Sequence, residues 1–459
     1  MRRALRSKAE LAVIALGLLG GLPGMAAECT PSGLSAQETL RKFQALDREA
    51  QTAMERGQFA EAAARYREAT CLQPKASRAF YGLGIAEAAA QNFPAARKAL
   101  ETASTLLPDN PLPLAMLVRV NVAAGDPEGT KKALRTTAAR FPRDGELHAT
   151  LARFLAENKL LDLALAESLR AEQSGATNPE ASIALAVLEN TVGAYEDAVR
   201  HAAALESQPG LPDAVKASAA GVAGLSYESM GEREAAIEHL KLAIRLDPGQ
   251  ENSYLALAYL YEKAQRFPEA VEVLTAARSK LADSRHVLLP LGNNLVWAEQ
   301  FAAGVEVLKE LLRVEPGASE GYVRLAEAYR KMGRPELETE ALRDLERRHP
   351  EYPMIHVLIA QAMMTADPVD YPKVLAELAL AEKTTPSDPD LFYLRGKVYL
   401  ATNRQPEAVA ALKRAIALRP MEPSPYYQLG MAYRKSGKPE LAREILQRME
   451  HVKAGRTAP

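Results

Sequence analysis

The apolar positions of this chain follow a pattern that recurs along its length. A bulky apolar residue is followed three and four places later by Leu-Gly or Leu-Ala, and seven places later by another large residue. Tyr254, Leu257, Ala258 and Tyr261 form one such set, and Tyr426, Leu429, Gly430 and Tyr433 another. Offsets of 0, 3, 4 and 7 trace one face of an α-helix, so each set predicts an amphipathic helix. A short polar turn comes next, as in Gly231-Glu232-Arg233 or Gly437-Lys438-Pro439. Glycine suits that place because it enters the left-handed conformation without steric cost and closes the helix.

A second helix follows the turn. It carries a small residue, then a leucine four places on (Leu100, Leu274, Leu308, Leu412), and stops near a proline such as Pro108, Pro248, Pro316 or Pro420. Proline cannot continue a helix interior, so it separates one unit from the next. The small residues form a ladder: Ala62, Ala96, Thr130, Ala164, Ala198, Ala236, Ala270, Gly304, Ala408 and Ala442, with Glu338 and Val374 in the two remaining rungs. The mean step is about 34 residues, the period of stacked helix pairs. Small rungs let two helix backbones approach closely. The pattern predicts an all-α chain of about twelve helix-turn-helix units.

This pattern resembles the tetratricopeptide repeat family, whose signature runs Trp-x2-Leu-Gly-x2-Tyr, then Ala-x3-Phe, then Pro. The last unit matches best, with Tyr426, Leu429, Gly430 and Tyr433 followed by Ala442 and Leu446. The resemblance covers residues 35 to 453 and implies a right-handed α-solenoid. Val118, Thr130, Glu338 and Arg395 depart from the pattern, and the units from 144 to 216 are the most degenerate. The loop from Glu206 to Asp213 lengthens one step and is the expected discontinuity. It divides repeats 1–5 (35–213) from repeats 6–12 (214–453), ahead of a tail at 454–459. A second insertion, from Ala366 to Pro372, falls between the helices of the tenth unit.

The N-terminus is laid out differently. Arg2, Arg3, Arg6 and Lys8 precede an apolar run from Leu11 to Leu22 and the small-x-small site Gly24-Met25-Ala26. This is the arrangement of a secretory signal peptide cleaved after Ala26, leaving a short linker at 27–34 and no stable membrane span. The expected destination is the periplasm or the exterior of the cell. Export changes the reading of the two cysteines. Cys29 precedes the first helix and Cys71 lies near the end of the second, and these places are neighbours in an antiparallel pair. A disulfide between Cys29 and Cys71 and a pair of separate thiols both remain open.

Charge and motifs narrow the function. Formal net charge is −1, and removing residues 1–26 leaves −4, which argues against nucleic acid as a partner. Residues 404–459 run the other way, with 11 Lys or Arg against 5 Glu. No phosphate-cradling Gly-x4-Gly-Lys and no His-Glu-x2-His helix occurs in the chain. The seven histidines show no metal-ligand spacing along the chain, and His148 and His356 take the bulky packing slot of their helices. The expectation is a non-enzyme with no catalytic residue, cofactor or metal.

What the resemblance implies is binding along a concave wall made by the first helices. Carried onto this chain, the inward positions include Tyr259, Asn293, Trp297, Glu327, Arg330 and Lys331 in the central units. In the last two they include Tyr393, Lys397, Tyr427, Arg434 and Lys435. Aromatic rings beside charges suit protein or peptide segments. Asn293 occupies the asparagine slot of the family's carboxylate clamp, but Leu289 stands where its lysine belongs, which argues against that clamp. Two other roles stay open: a scaffold subunit of an envelope assembly or polysaccharide export machine, and an accessory subunit of an enzyme encoded elsewhere. Terminal repeats leave edges open to self-association.

Overall fold

The computed structural model describes residues 33–175, 178–281 and 285–455. Its regular structure among these residues is entirely helical, and it divides into two compact units, Met1–Met230 and Gly231–Pro459. The signal-peptide expectation and Cys29 lie outside the described residues; Cys71 sits half-buried in the last turn of its helix. Among the described residues no helix is long and apolar enough to cross a membrane.

The first unit holds α1 (Ala36–Glu55), α2 (Phe59–Leu72), α3 (Ser77–Ala89), α4 (Phe93–Leu106), α5 (Leu112–Ala123) and α6 (Pro127–Arg140). It continues with α7 (Gly145–Glu157), α8 (Leu161–Gln173), α9 (Pro179–Val192), α10 (Tyr195–Ser207) and α11 (Asp213–Met230). The second begins with α12 (Arg233–Leu246), α13 (Glu251–Lys263), α14 (Phe267–Lys280), α15 (Arg285–Trp297), α16 (Phe301–Val314), α17 (Ser319–Lys331) and α18 (Pro335–Arg348). It ends with α19 (Ile355–Met363), α20 (Tyr371–Thr384), α21 (Pro389–Ala401), α22 (Gln405–Leu418), α23 (Pro423–Lys435) and α24 (Pro439–Lys453). The loop from Glu206 to Asp213 joins α10 to α11 inside the first unit, and the insertion around Ala366–Pro372 follows α19 and runs into the first turn of α20. Within each unit helices pack on their sequence neighbours, least of all α6 on α7, and the alternate helices that meet are odd-numbered ones, such as α3 with α5 or α15 with α17. Nearest-neighbour packing of helix pairs is the helical repeat solenoid that the period predicts.

Local chemistry accounts for the pairs. The residue five places before the rung has positive φ in eleven of the twelve pairs, from Gly57 at 73° to Gly437 at 69°; Gln91, Lys159, Gln265, Glu299 and Asn403 adopt it without glycine. The amide of the following residue then bonds back five residues, as Arg334 N donates to Tyr329 O at 2.9 Å. That is a Schellman closure, which satisfies carbonyls at the helix end and reverses the chain. Every rung is buried, with Ala62, Ala96, Ala164, Ala198, Ala236, Ala270 and Ala408 at 0 % exposure.

The Leu-Gly pair and the leucine four places after the rung interlock. A Cβ added to Gly292 would stand 2.6 Å from Leu308, and one at Gly396 2.5 Å from Leu412. Absence of a side chain on the first helix thus makes the hole that the leucine of the second fills. In two units a buried tyrosine ties the pair to the preceding one: Tyr426 Oη donates to the carbonyl of Pro420 at 2.9 Å, and Tyr322 Oη to that of Pro316 at 3.3 Å.

Candidate functional site

In the second unit α13, α15 and α17 are successive first helices, and their polar side chains join across three repeats. Asn294 Nδ2 reaches back to Glu262 on α13 at 3.1 Å and also bonds the Pro290 carbonyl at 3.0 Å. Asn293 Nδ2 reaches forward to Glu320 on α17 at 3.4 Å. Arg324, one turn after Glu320, pairs with Glu327 at 2.8 Å and lies 3.9 Å from Glu320. Its guanidinium carbon stands 5.0 Å from the centre of the Trp297 ring, which in turn meets Phe267 of α14 at a centroid distance of 5.6 Å. Such stacking attracts a cation to the electron-rich ring face and holds both groups in place.

The eleven expected wall residues therefore divide. Tyr259 is half exposed with the Lys263 ammonium 5.2 Å from its ring centre, and Arg330, Lys331, Tyr427 and Arg434 are exposed. Trp297 and Glu327 are brought together through Arg324. Tyr393 and Lys397 form a further aromatic-cation pair, 5.8 Å apart on α21, beside a hollow of about 260 Å³ lined by Asp390, Arg419 and Ser424. Burial raises the Tyr393 phenol above its ordinary value, and a hydrogen bond with Gln428 pulls it back. Lys435 Nζ donates to the Leu400 carbonyl at 3.3 Å, so it caps the end of α21. Asn293 is buried, with its Oδ1 unpartnered, and belongs to the wall's support rather than its surface. Arg324 escaped the sequence reading. Its signals were the spacing to Glu327 and its place one repeat beyond the chain's single tryptophan.

Two buried polar groups stand apart from this wall. His148 takes an aromatic slot on α7 at 0 % exposure, with Nδ1 2.6 Å from Glu167 and Nε2 3.1 Å from the Phe141 carbonyl; Arg170 closes on the same glutamate at 2.5 Å. Glu338 fills its rung at 3 % exposure with Oε2 unpartnered. Burial raises its pKa, and the Arg330 charge opposes that rise.

Among solved structures the chain resembles a tetratricopeptide repeat protein from Parabacteroides merdae (15 % identity, TM-score 0.38), over 59 % of this chain and 98 % of that one. MamA, from residue 41 to its end, from Desulfovibrio magneticus matches at 17 % identity and TM-score 0.35, over 38 % of this chain and 97 % of the other. Pseudomonas aeruginosa pilF matches at 17 % identity and TM-score 0.36, over 48 % and 96 %. No curated protein matches. Models of the tetratricopeptide repeat match residues 48–111, 116–181, 229–289 and 289–362, and two more match 396–437 and 426–449. With the twelve helix pairs, the buried ladder and the glycine-leucine interlock, these matches show that the chain belongs to the tetratricopeptide repeat family.

Proposed function

We propose that this protein is an exported, non-catalytic scaffold whose first-helix wall in residues 251–331 binds protein or peptide segments. Tetratricopeptide repeats mediate protein interactions, and the observation that favours this stretch is the pre-set group of Trp297, Arg324 and Glu327, with exposed Tyr259 on the preceding first helix. Tryptophan, tyrosine and arginine are the residues that dominate interface energies, since each presents a large contact area for few rotatable bonds. Arg324 is held by Glu327 and stacked on Trp297, so little of its freedom is left to lose when a partner arrives. Export rests on the layout of residues 1–26.

The test is affinity capture from the exported proteome with residues 27–459, in parallel with a bait carrying Tyr259→Ala, Trp297→Ala and Arg324→Ala. A partner retained by the native chain is expected to fall at least about tenfold on the triple variant, the effect of losing one to two interface anchors. Circular dichroism checks that the variant keeps its helices. If the folded variant holds the same proteins as the native chain, this wall is not the binding surface.

A further inference from the structure

Three helices of the second unit bring a histidine and two carboxylates to one point. His356 is at the start of α19, Glu346 near the end of α18 and Glu377 in the middle of α20. His356 Nδ1 lies 3.0 Å from Glu377 Oε2 and 3.5 Å from Glu346 Oε1, and the three ligand atoms fall within 4.8 Å of one another. Both carboxylates turn their other oxygen to Arg343: Nη1 bonds Glu346 Oε2 at 2.8 Å, and Nη2 bonds Glu377 Oε1.

We propose that Glu346, His356 and Glu377 form a binding site for a first-row divalent cation, of which Zn²⁺ fits best. One N–H shared between two acceptors is at best a bent three-centre bond, whereas a cation in place of that proton bonds the nitrogen and both oxygens together. Tetrahedral zinc with nitrogen and oxygen ligands at about 2.0–2.2 Å needs ligand atoms about 3.3–3.5 Å apart. The two histidine–carboxylate separations, 3.0 and 3.5 Å, lie around that range, and the two carboxylate oxygens, within 4.8 Å of each other, reach it by turning toward the ion. An imidazole ligand favours zinc over magnesium or calcium. Arg343 orients the carboxylates as an outer partner, in the way metal-bound carboxylates are held by further hydrogen bonds. With His356 neutral, two carboxylates and one guanidinium leave a net charge of −1 to receive the ion.

The other buried histidines lack this arrangement. His201 meets Glu189 through Nδ1 and Glu172 through Nε2, so its carboxylates lie against opposite ring nitrogens and cannot share one ion. His148 commits Nε2 to a backbone carbonyl and is fully sealed from solvent. His356 and Glu346 keep 14 % and 25 % of their side chains exposed, which leaves a way in for the ion and a place for a water ligand.

Chelator-stripped chain titrated with Zn²⁺ by calorimetry is expected to bind one ion that is lost, or weakened at least about tenfold, in His356→Ala and in the isosteric Glu346→Gln. A His286→Ala variant, which alters an exposed histidine elsewhere, is expected to bind as the native chain does. Co²⁺ in place of Zn²⁺ is expected to give the intense visible absorption of tetrahedral coordination, absent in Glu346→Gln. Binding unchanged in Glu346→Gln and His356→Ala would overturn the site, as would no saturable binding to native chain whose helices are intact by circular dichroism.

Discussion

Glu167→Ala is expected to destabilise the first unit by about 1–3 kcal/mol, the cost of leaving a buried polar group without its partner. Glu167 and His148 are both at 0 % exposure, so the alanine variant leaves an imidazole nitrogen without a partner and without access to water. Arg170, partly exposed, recovers solvent and adds little to the loss. Because His148 also bonds the Phe141 carbonyl at the end of α6, the damage reaches the junction between the third and fourth repeats. Hydrogen exchange reads this repeat by repeat, which suits an array whose repeats interact mainly with their neighbours. Protection is expected to fall in α6 to α8 and to hold in α22 to α24. Glu167→Gln keeps the shape and a hydrogen bond, and is expected to lose less. A change under about 1 kcal/mol for the alanine variant would show that the group is a passenger in the core rather than a support.

The opposite sign is expected at Glu338. Its rung is alanine in most other pairs, and here a carboxylate is enclosed with one oxygen unpartnered. Glu338→Ala is expected to stabilise the second unit by about 1–3 kcal/mol near pH 8, the usual cost of an unsatisfied buried polar group. The pH dependence follows from the raised pKa. A carboxyl that holds its proton more tightly when folded contributes stability that is full below its unfolded value, taken as 4.5, and lost as pH rises through the folded value. The variant's advantage is therefore smallest near pH 4 and grows toward neutrality. Urea unfolding of both proteins at pH 4, 6 and 8 checks it. An advantage that shrinks with rising pH, or a variant less stable at pH 8, would mean that the Arg330 charge compensates Glu338 in full.

Much of the fold was legible because each defining contact joins residues a set distance apart in the chain. Gly292 meets Leu308 sixteen places on, as Gly396 meets Leu412, and in eleven of the twelve pairs the left-handed turn falls five places before the rung. Such contacts are local, so a period of about 34 carries them through every copy. The same regularity misled at Asn293. An inward position by counting, it is turned into the packing between α15 and α17 and bonded to Glu320.

The amino-acid sequence by itself determined the helix pairs, their turns, the buried ladder and the family, because hydrophobic period, glycine and proline act within one repeat. Tertiary structure alone decided which polar side chains meet. Arg324 lies 27 residues from Trp297, and Glu346 and Glu377 lie 10 and 21 residues from His356, on separate helices. No spacing rule predicts those meetings, since the direction of a long side chain on a polar helix face is set by the neighbouring repeat that packs against it.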